Sequence, residues 1–165
     1  MKRVLLFLLM AFIIIQFFRV EQTNPEPTPQ LDFLRIKNTP GKTANLIRNS
    51  CYDCHSNETN YPWYTKIQPF GWLMQNHIEN GRKELNFSTF ATYDTKRQLH
   101  KLEEAIEMVE SDGMPLDSYL LGHPEAKLSA EEKKQLTSYL QLVRQDTKLM
   151  HEIPRGVEQS DFKIQ

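Results

Sequence analysis

Hydrophobic and polar positions divide this chain into two unequal parts. Every residue from Val4 to Ile15 is apolar, and this run follows a short basic start made by Lys2 and Arg3. Beyond residue 31, no region keeps the alternation that is typical of strands, whereas several regions repeat apolar residues at spacings of three and four. The pattern therefore predicts an all-α domain preceded by an N-terminal hydrophobic helix.

The domain is predicted to contain four helices. They are expected over residues 43–50, 69–81, 94–111 and 129–146. The third helix carries one apolar face, formed by Leu99, Leu102, Ile106 and Val109. The fourth begins with the capping box Ser129-Ala-Glu-Glu132, followed by the apolar stripe Leu136, Tyr139, Leu140 and Val143. The loops over residues 56–66 and 114–128 are predicted to be long and poor in regular structure.

The same pattern predicts a division into segments. Residues 1–20 form a signal or membrane anchor segment, residues 21–30 a linker, residues 31–147 the helical domain and residues 148–165 a tail. Three prolines within ten residues make the linker extended and semi-rigid. We expect it to be a spacer that holds the domain a short distance from the membrane.

The N-terminal segment is typical of export. Its apolar stretch covers about fifteen residues when Phe17 and Phe18 are counted with Val4–Ile15, whereas a bilayer-spanning helix needs roughly 20. No small-x-small cleavage site follows the run, which favours an uncleaved anchor over a cleaved signal peptide. By the positive-inside rule, Lys2 and Arg3 remain in the cytoplasm. The sequence therefore predicts an inner-membrane anchor with its domain in the periplasm, or an exported soluble domain if the segment is cleaved.

The formal charge of the chain outside its N-terminal segment disfavours nucleic acid as a partner. Removing Lys2, Arg3 and Arg19 from the 20 basic residues leaves 17, against 21 acidic residues, so the remaining chain has a formal charge of about −4. Because no basic patch stands out, nucleic acid is a poor candidate partner. A basic protein partner is compatible with this charge.

The motif that carries chemistry is Cys51-Tyr52-Asp53-Cys54-His55, which contains both cysteines of the chain. On a helical turn, residues three apart lie on the same side. Both sulfurs can then form thioethers with one edge of a haem, and His55 can offer a neutral nitrogen to the iron. In an exported chain, this spacing is typical of covalent attachment of one haem c.

Two other interpretations of the motif remain open. A structural zinc ion needs four ligands, and Cys51, Cys54 and His55 provide at most three. A redox-active cysteine pair is usually found in a thioredoxin-like βαβ setting, which this chain does not predict. Haem attachment is favoured over both.

Met114 is the favoured sixth ligand of the iron. It lies in Asp112-Gly113-Met114-Pro115, where the glycine allows the backbone to approach the ring closely and the proline fixes the loop. His77 is the second candidate, and an open sixth position is the third. Met74 and Met108 are expected to be core residues and His100 a solvated residue. His123 is expected to bond to the backbone or to a haem propionate, and His151 is a further candidate. The aromatic group Tyr61, Trp63, Tyr64, Phe70 and Trp72 is expected in the core or in a wall around the haem.

Several separated motifs resemble the bacterial haem-binding domain family related to cytochrome c. They are residues 51–59, 61–64, 81–82, 85–88, 114–115 and 121–129, and the resemblance covers roughly residues 31–143. It implies a cytochrome-c-like helical fold with long loops around one haem. It also implies that Cys51 and Cys54 attach the haem, that His55 is the proximal ligand and that Met114 is the distal ligand.

The expected function is single-electron transfer with a redox partner protein. Two strong axial ligands leave no open position for a substrate, so we expect an electron carrier and not an enzyme. A haem-based gas or redox sensor is the main alternative, and a peroxidase-like enzyme is a weaker one. The sequence offers no paired carboxylates, nucleophile constellation or phosphate loop that would indicate another enzyme class.

Overall fold

The computed structural model describes residues 1–152, and all regular structure in that range is helical. The predicted all-α class is therefore confirmed. The α-helices are α1 Lys2–Ile15, α2 Phe33–Ile36, α3 Gly41–Ile47, α4 Asp53–His55, α5 Phe70–Glu84, α6 Thr95–Glu110, α7 Asp117–Leu120 and α8 Ala130–Glu152.

Short irregular helical turns join several of these helices. A π-helical turn, Arg48–Tyr52, connects α3 to α4, so the helical run that begins at Gly41 continues through the cysteine motif to His55. The two predicted loops contain more regular structure than expected. The first ends in the 3₁₀ turn Trp63–Lys66, and the second holds α7 and the 3₁₀ turn Pro124–Ala126.

The main core lies between α6 and α8. The buried side chains of α6 are Leu102, Ile106 and Val109, and those of α8 are Leu136, Leu140 and Val143. These residues come from the two predicted apolar faces, which are thus confirmed. Phe33 extends this core into an aromatic cluster, with ring centroids 5.3 Å from Phe87 and 5.0 Å from Phe90.

Helix α8 begins as predicted and ends later than predicted. The amide of Ser129 donates to Glu132 Oε2 at 2.8 Å, and the Glu132 amide donates back to Ser129 Oγ at 3.3 Å, which is the capping box. The expected end near Asp146 is wrong, because the helix continues to Glu152. Thr147 is buried there and accepts a hydrogen bond from Lys37 Nζ at 3.0 Å. The predicted tail therefore begins inside a helix, and its residues 153–165 lie outside the described range.

The apolar N-terminal run forms α1, a helix of 14 residues with no buried side chain. None of the helices within residues 1–152 is both long and apolar enough to cross a membrane. At a rise of 1.5 Å per residue, α1 is about 21 Å long, short of the ~30 Å hydrocarbon core. A membrane-crossing N-terminal helix is therefore not supported.

The proline-rich segment does not stand away from the domain as a spacer. Gln22 Nε2 donates to the Thr65 carbonyl at 2.8 Å, and Asn24 Nδ2 donates to the Thr59 carbonyl at 2.9 Å. The segment has no regular structure, as predicted, but its polar side chains satisfy carbonyls of the loop that follows the cysteine motif. The spacer prediction is wrong for this reason.

Candidate functional site

A cavity of about 490 Å³ opens between the cysteine motif, α5, α6 and the segment that leads into α7. Its walls are mostly apolar, and its volume lies within the ~300–1,000 Å³ of typical cofactor sites. All four side chains that the sequence singled out line it: Cys51, Cys54, His55 and Met114. The fold thus brings together a two-sulfur motif and a methionine that are 60 residues apart in the chain.

The two residues between the cysteines fix the motif from opposite sides. Tyr52 is buried, stacks on Phe87 at 5.6 Å between ring centroids, and donates its hydroxyl proton to Asp32 Oδ2 at 2.8 Å. Asp53 Oδ2 accepts a hydrogen bond from the Tyr119 hydroxyl at 2.7 Å. The sequence assigned no role to Tyr52 and Asp53. Their phenol and carboxylate groups suggested hydrogen bonds, but the partners are distant in sequence and could not be identified from it.

Both phenols remain donors at neutral pH. Burial, followed by the hydrogen bond to Asp32, raises the pKa of Tyr52. Burial and the hydrogen bond to Asp53 raise the pKa of Tyr119 in the same way. The motif is thereby connected to the core through one neutral phenol and to α7 through the other.

His55 is present in the protonation state that a metal ligand requires. Its Nδ1 lies 2.9 Å from the Leu85 carbonyl oxygen, which can only accept, so Nδ1 carries the proton. Burial lowers the pKa of His55, which keeps the ring neutral. Nε2 is then the lone-pair nitrogen, and the Leu85 carbonyl holds the orientation of the ring, as hydrogen-bond acceptors do for histidine ligands in metal sites.

The two thiols have the opposite character from redox-active cysteines. Burial, and then the neighbouring Cys54, raises the pKa of Cys51 to about 12. Burial, and then the Asp53 carboxylate, raises the pKa of Cys54 to about 11. Reactive cysteines instead have lowered pKa values in electropositive surroundings, so the raised values weigh against a redox-active pair. Within residues 1–152, no group of three or more His, Cys, Asp or Glu side chains is arranged to hold a metal ion.

Helix α5 meets the cysteine motif backbone to backbone at Gly81. A Cβ atom at this position would lie 2.5 Å from the Cys54 carbonyl oxygen. The sequence predicted Gly81 as the end of the helix, but α5 continues to Glu84, so that prediction is wrong and the glycine provides close packing. Next to it, Arg82 Nε donates to the Ser56 carbonyl at 2.7 Å and secures the chain just after His55.

We expect Gly81→Ala to destabilise the protein by about 1–3 kcal/mol, because the added methyl group must push α5 away from Cys54. The amount of haem bound per chain should fall together with the stability, because α5 forms part of the cavity wall. Guanidinium unfolding and haem absorbance per chain measure the two effects. Gly41→Ala is the matched control, because nothing lies within 4 Å of a Cβ there. Equal stability of the two variants would contradict the packing role of Gly81.

Three possible sixth ligands line the cavity: Met114, Met108 and His77. Met108 was expected to be core filler, and this is wrong, because its side chain is 40% exposed and faces the cavity. The Met114 amide donates to the Met108 carbonyl at 3.0 Å, so the two methionines are held next to each other. Helical spacing alone could not show that the side of α6 carrying Met108 would border a cavity.

The structure shows a packing role for Gly113 beside Met108. Asp112, not the glycine, adopts the left-handed conformation, with φ of 60°. A Cβ on Gly113 would lie 2.6 Å from Met108 Cε, so the missing side chain makes room for Met108. Gly113 therefore shapes the methionine side of the cavity through its small size.

The remaining Met and His candidates lie elsewhere. Met74 is buried beside Tyr119 and Ala126, as expected of a core residue. His100 is exposed and lies 3.3 Å from Glu104, as expected of a solvated side chain. His123 stacks on Tyr119 at 4.0 Å between ring centroids.

The predicted aromatic group does not form the cavity. None of its five members lines the cavity in the described part of the chain, and three are surface residues. Trp63 is 74% exposed, Phe70 55% and Trp72 37%. The core and haem-wall interpretations are therefore both wrong for these three side chains.

A small charged cluster lies at the rim of the cavity. Lys101 Nζ donates to Glu84 Oε2 at 2.9 Å and to Glu104 Oε2 at 2.6 Å. All three residues line the cavity, and Lys101 is the only lysine or arginine among the described lining residues. Lys101 is therefore the cation of the described cavity wall, and two carboxylates already bind it.

Comparison with models of protein families matches residues 10–142 to the family described as Haem-binding domain. The match begins within α1 and ends within α8, so it includes the extended segment that lies on the domain surface. Searches of curated proteins and of solved structures give no significant match.

Proposed function

The chain belongs to the haem-binding domain family, and from this membership we propose that it carries one covalent haem c and transfers single electrons in the periplasm. The supporting observation is that Cys51, Cys54, His55 and Met114 line one cavity of about 490 Å³. A cytochrome-c-like arrangement of helices around that cavity is part of the proposal.

The residues of the cavity fit this cofactor. Cys51 and Cys54 would supply the two sulfurs, His55 the proximal nitrogen and Met114 the distal thioether sulfur. A haem bound in this way supplies reversible one-electron chemistry at its iron. The apolar walls exclude water, and His and Met ligands together favour a higher reduction potential than two imidazoles. Covalent attachment keeps the cofactor with an exported chain.

Electron transfer is proposed in preference to catalysis because two side chains would occupy both axial positions. A gas sensor is the second candidate, and one observation favours it. Met108 and Met114 both line the cavity, so a small ligand could displace one thioether while the other remains nearby. Rapid binding of carbon monoxide by the reduced wild-type protein would support the sensor over the carrier.

Location and partners are also part of the proposal. The basic start, the apolar α1 and the cysteine motif together support an exported domain attached to the inner membrane through its N-terminal segment. The partner is proposed to be a redox protein, and a basic docking surface on it would suit the formal charge of about −4 outside residues 1–20.

The test is to express the full chain with a c-type maturation system and to record the reduced pyridine haemochrome spectrum after denaturation. We expect haem that stays with the chain and absorbs as a two-thioether species, at one haem per chain. A colourless chain, produced in cells that mature another c-type protein normally, would refute covalent attachment.

A further inference from the structure

Exposed apolar side chains gather where α1 approaches the domain. On the N-terminal side, Phe17 is 82% exposed and Phe18 is 65% exposed. On the domain side lie Trp63, Phe70, Trp72 and Leu73, which we call the aromatic surface. Trp72 Nε1 donates to the Phe18 carbonyl at 2.7 Å, so the chain after α1 contacts the domain at Trp72.

A set of polar contacts fixes α1 to this surface. Gln16 Nε2 donates to the Gln68 carbonyl at 3.0 Å, and the Gln68 amide donates back to Gln16 Oε1 at 2.9 Å. Asn24 Oδ1 accepts a hydrogen bond from Arg82 at 2.7 Å. Together with the Gln22 bond to Thr65, these contacts make residues 16–24 a strap along the domain.

The apolar composition of α1 indicates which environment covers Phe17, Phe18 and the aromatic surface. Its residues from Val4 to Ile15 are apolar on every side, and none is buried against the domain. A helix that is apolar all round belongs in a protein core or in lipid. Lys2 and Arg3 lie at one end, and tryptophan and phenylalanine side chains lie at the other. Aromatic side chains are enriched where a bilayer meets water.

We infer that α1 inserts into a phospholipid bilayer and that the aromatic surface rests in the interfacial layer beside it. The strap then fixes the orientation of the domain, which is not free to move on a flexible tether. This inference rests on the membrane location given under the proposed function and is independent of the haem chemistry.

The test uses the full mature chain, reconstituted into vesicles of phosphatidylethanolamine and phosphatidylglycerol that contain a phospholipid with a diazirine near its glycerol. After irradiation, mass spectrometry locates the lipid adducts. We expect adducts on residues 1–18 and also on residues 61–73. Adducts confined to residues 1–18 would overturn the inference, as would crosslinks joining residues 61–73 of two chains, which would identify a second copy as the occupant.

A variant separates the strap from the anchor. Gln16→Ala with Trp72→Phe removes the three hydrogen bonds that join residues 16–18 to the domain but keeps an aromatic ring at position 72. Adducts on residues 61–73 should fall on the order of tenfold, while those on α1 stay unchanged. Gln75→Ala is the control, since its amide contacts Glu79 on the exposed side of α5. Unchanged adducts in the double variant would overturn the role of the strap.

Haem absorbance is recorded on the same samples. A chain with normal haem but no adducts on residues 61–73 contradicts only the membrane inference. A chain with no haem but adducts at both places contradicts only the proposed function.

Discussion

Replacing both cysteines, Cys51→Ala with Cys54→Ala, should remove all haem from the denatured chain, whereas the wild type keeps its haem. The reason is that Cys51 and Cys54 are the only thiols in the sequence, so no other side chain can form a thioether. Haem staining after denaturing electrophoresis and the haemochrome spectrum measure the loss. Each single variant should retain haem through one thioether and show a shifted haemochrome band.

Tyr52→Phe is the matched control for this experiment. It leaves both sulfurs in place and removes only the hydrogen bond to Asp32, so haem should remain attached. Stability should fall by about 1–3 kcal/mol, because the buried Asp32 carboxylate loses a partner. Equal retention of haem by the double cysteine variant and by the wild type would contradict covalent attachment.

Met114→Ala should cause the largest change in the redox properties of the folded protein. Loss of the thioether should lower the reduction potential by a sizeable part of the ~0.8 V range that axial ligands control. It should also open the iron to carbon monoxide. Redox titration and the rate of carbon monoxide binding to the reduced protein measure these changes.

Met108→Ala and His77→Ala are the controls for Met114→Ala, because both residues line the same cavity. We expect neither variant to change the potential or to admit carbon monoxide. If the reduction potential fell in Met108→Ala and not in Met114→Ala, Met108 would be identified as the ligand. Rapid carbon monoxide binding by the wild type, with no change in any variant, would favour an open sixth position and the sensor function.

Local patterns were sufficient to predict α6 and α8. The apolar faces of α6 and α8 repeat within a few residues, and the Ser129–Glu132 capping box spans one turn. The spacing of Cys51, Cys54 and His55 is likewise local. Each of these features depends on neighbours in sequence, and for this reason the sequence alone could reveal it.

Features that depend on distant contacts could not be predicted in this way. In the part of α8 beyond Asp146, Thr147 bonds to Lys37, which is 110 residues away in the sequence. Met108 is exposed because it faces a cavity whose opposite wall comes from other parts of the chain. Its position relative to the other apolar residues of α6 would fit a buried side chain equally well. The aromatic residues after the motif have the composition of a core, and only the folded structure shows that Trp63, Phe70 and Trp72 are exposed.

The contacts around the cysteine motif bear on when a covalent haem could be attached. In the folded chain Tyr52 donates to Asp32, Asp53 accepts from Tyr119, and the backbone of Gly81 packs against Cys54. Under the proposed covalent attachment, these contacts would hinder any enzyme that has to reach Cys51 and Cys54 in the folded chain. Attachment would then have to come before the fold closes, and the hydrogen bonds of Tyr52 and Asp53 would form only after the cofactor is in place.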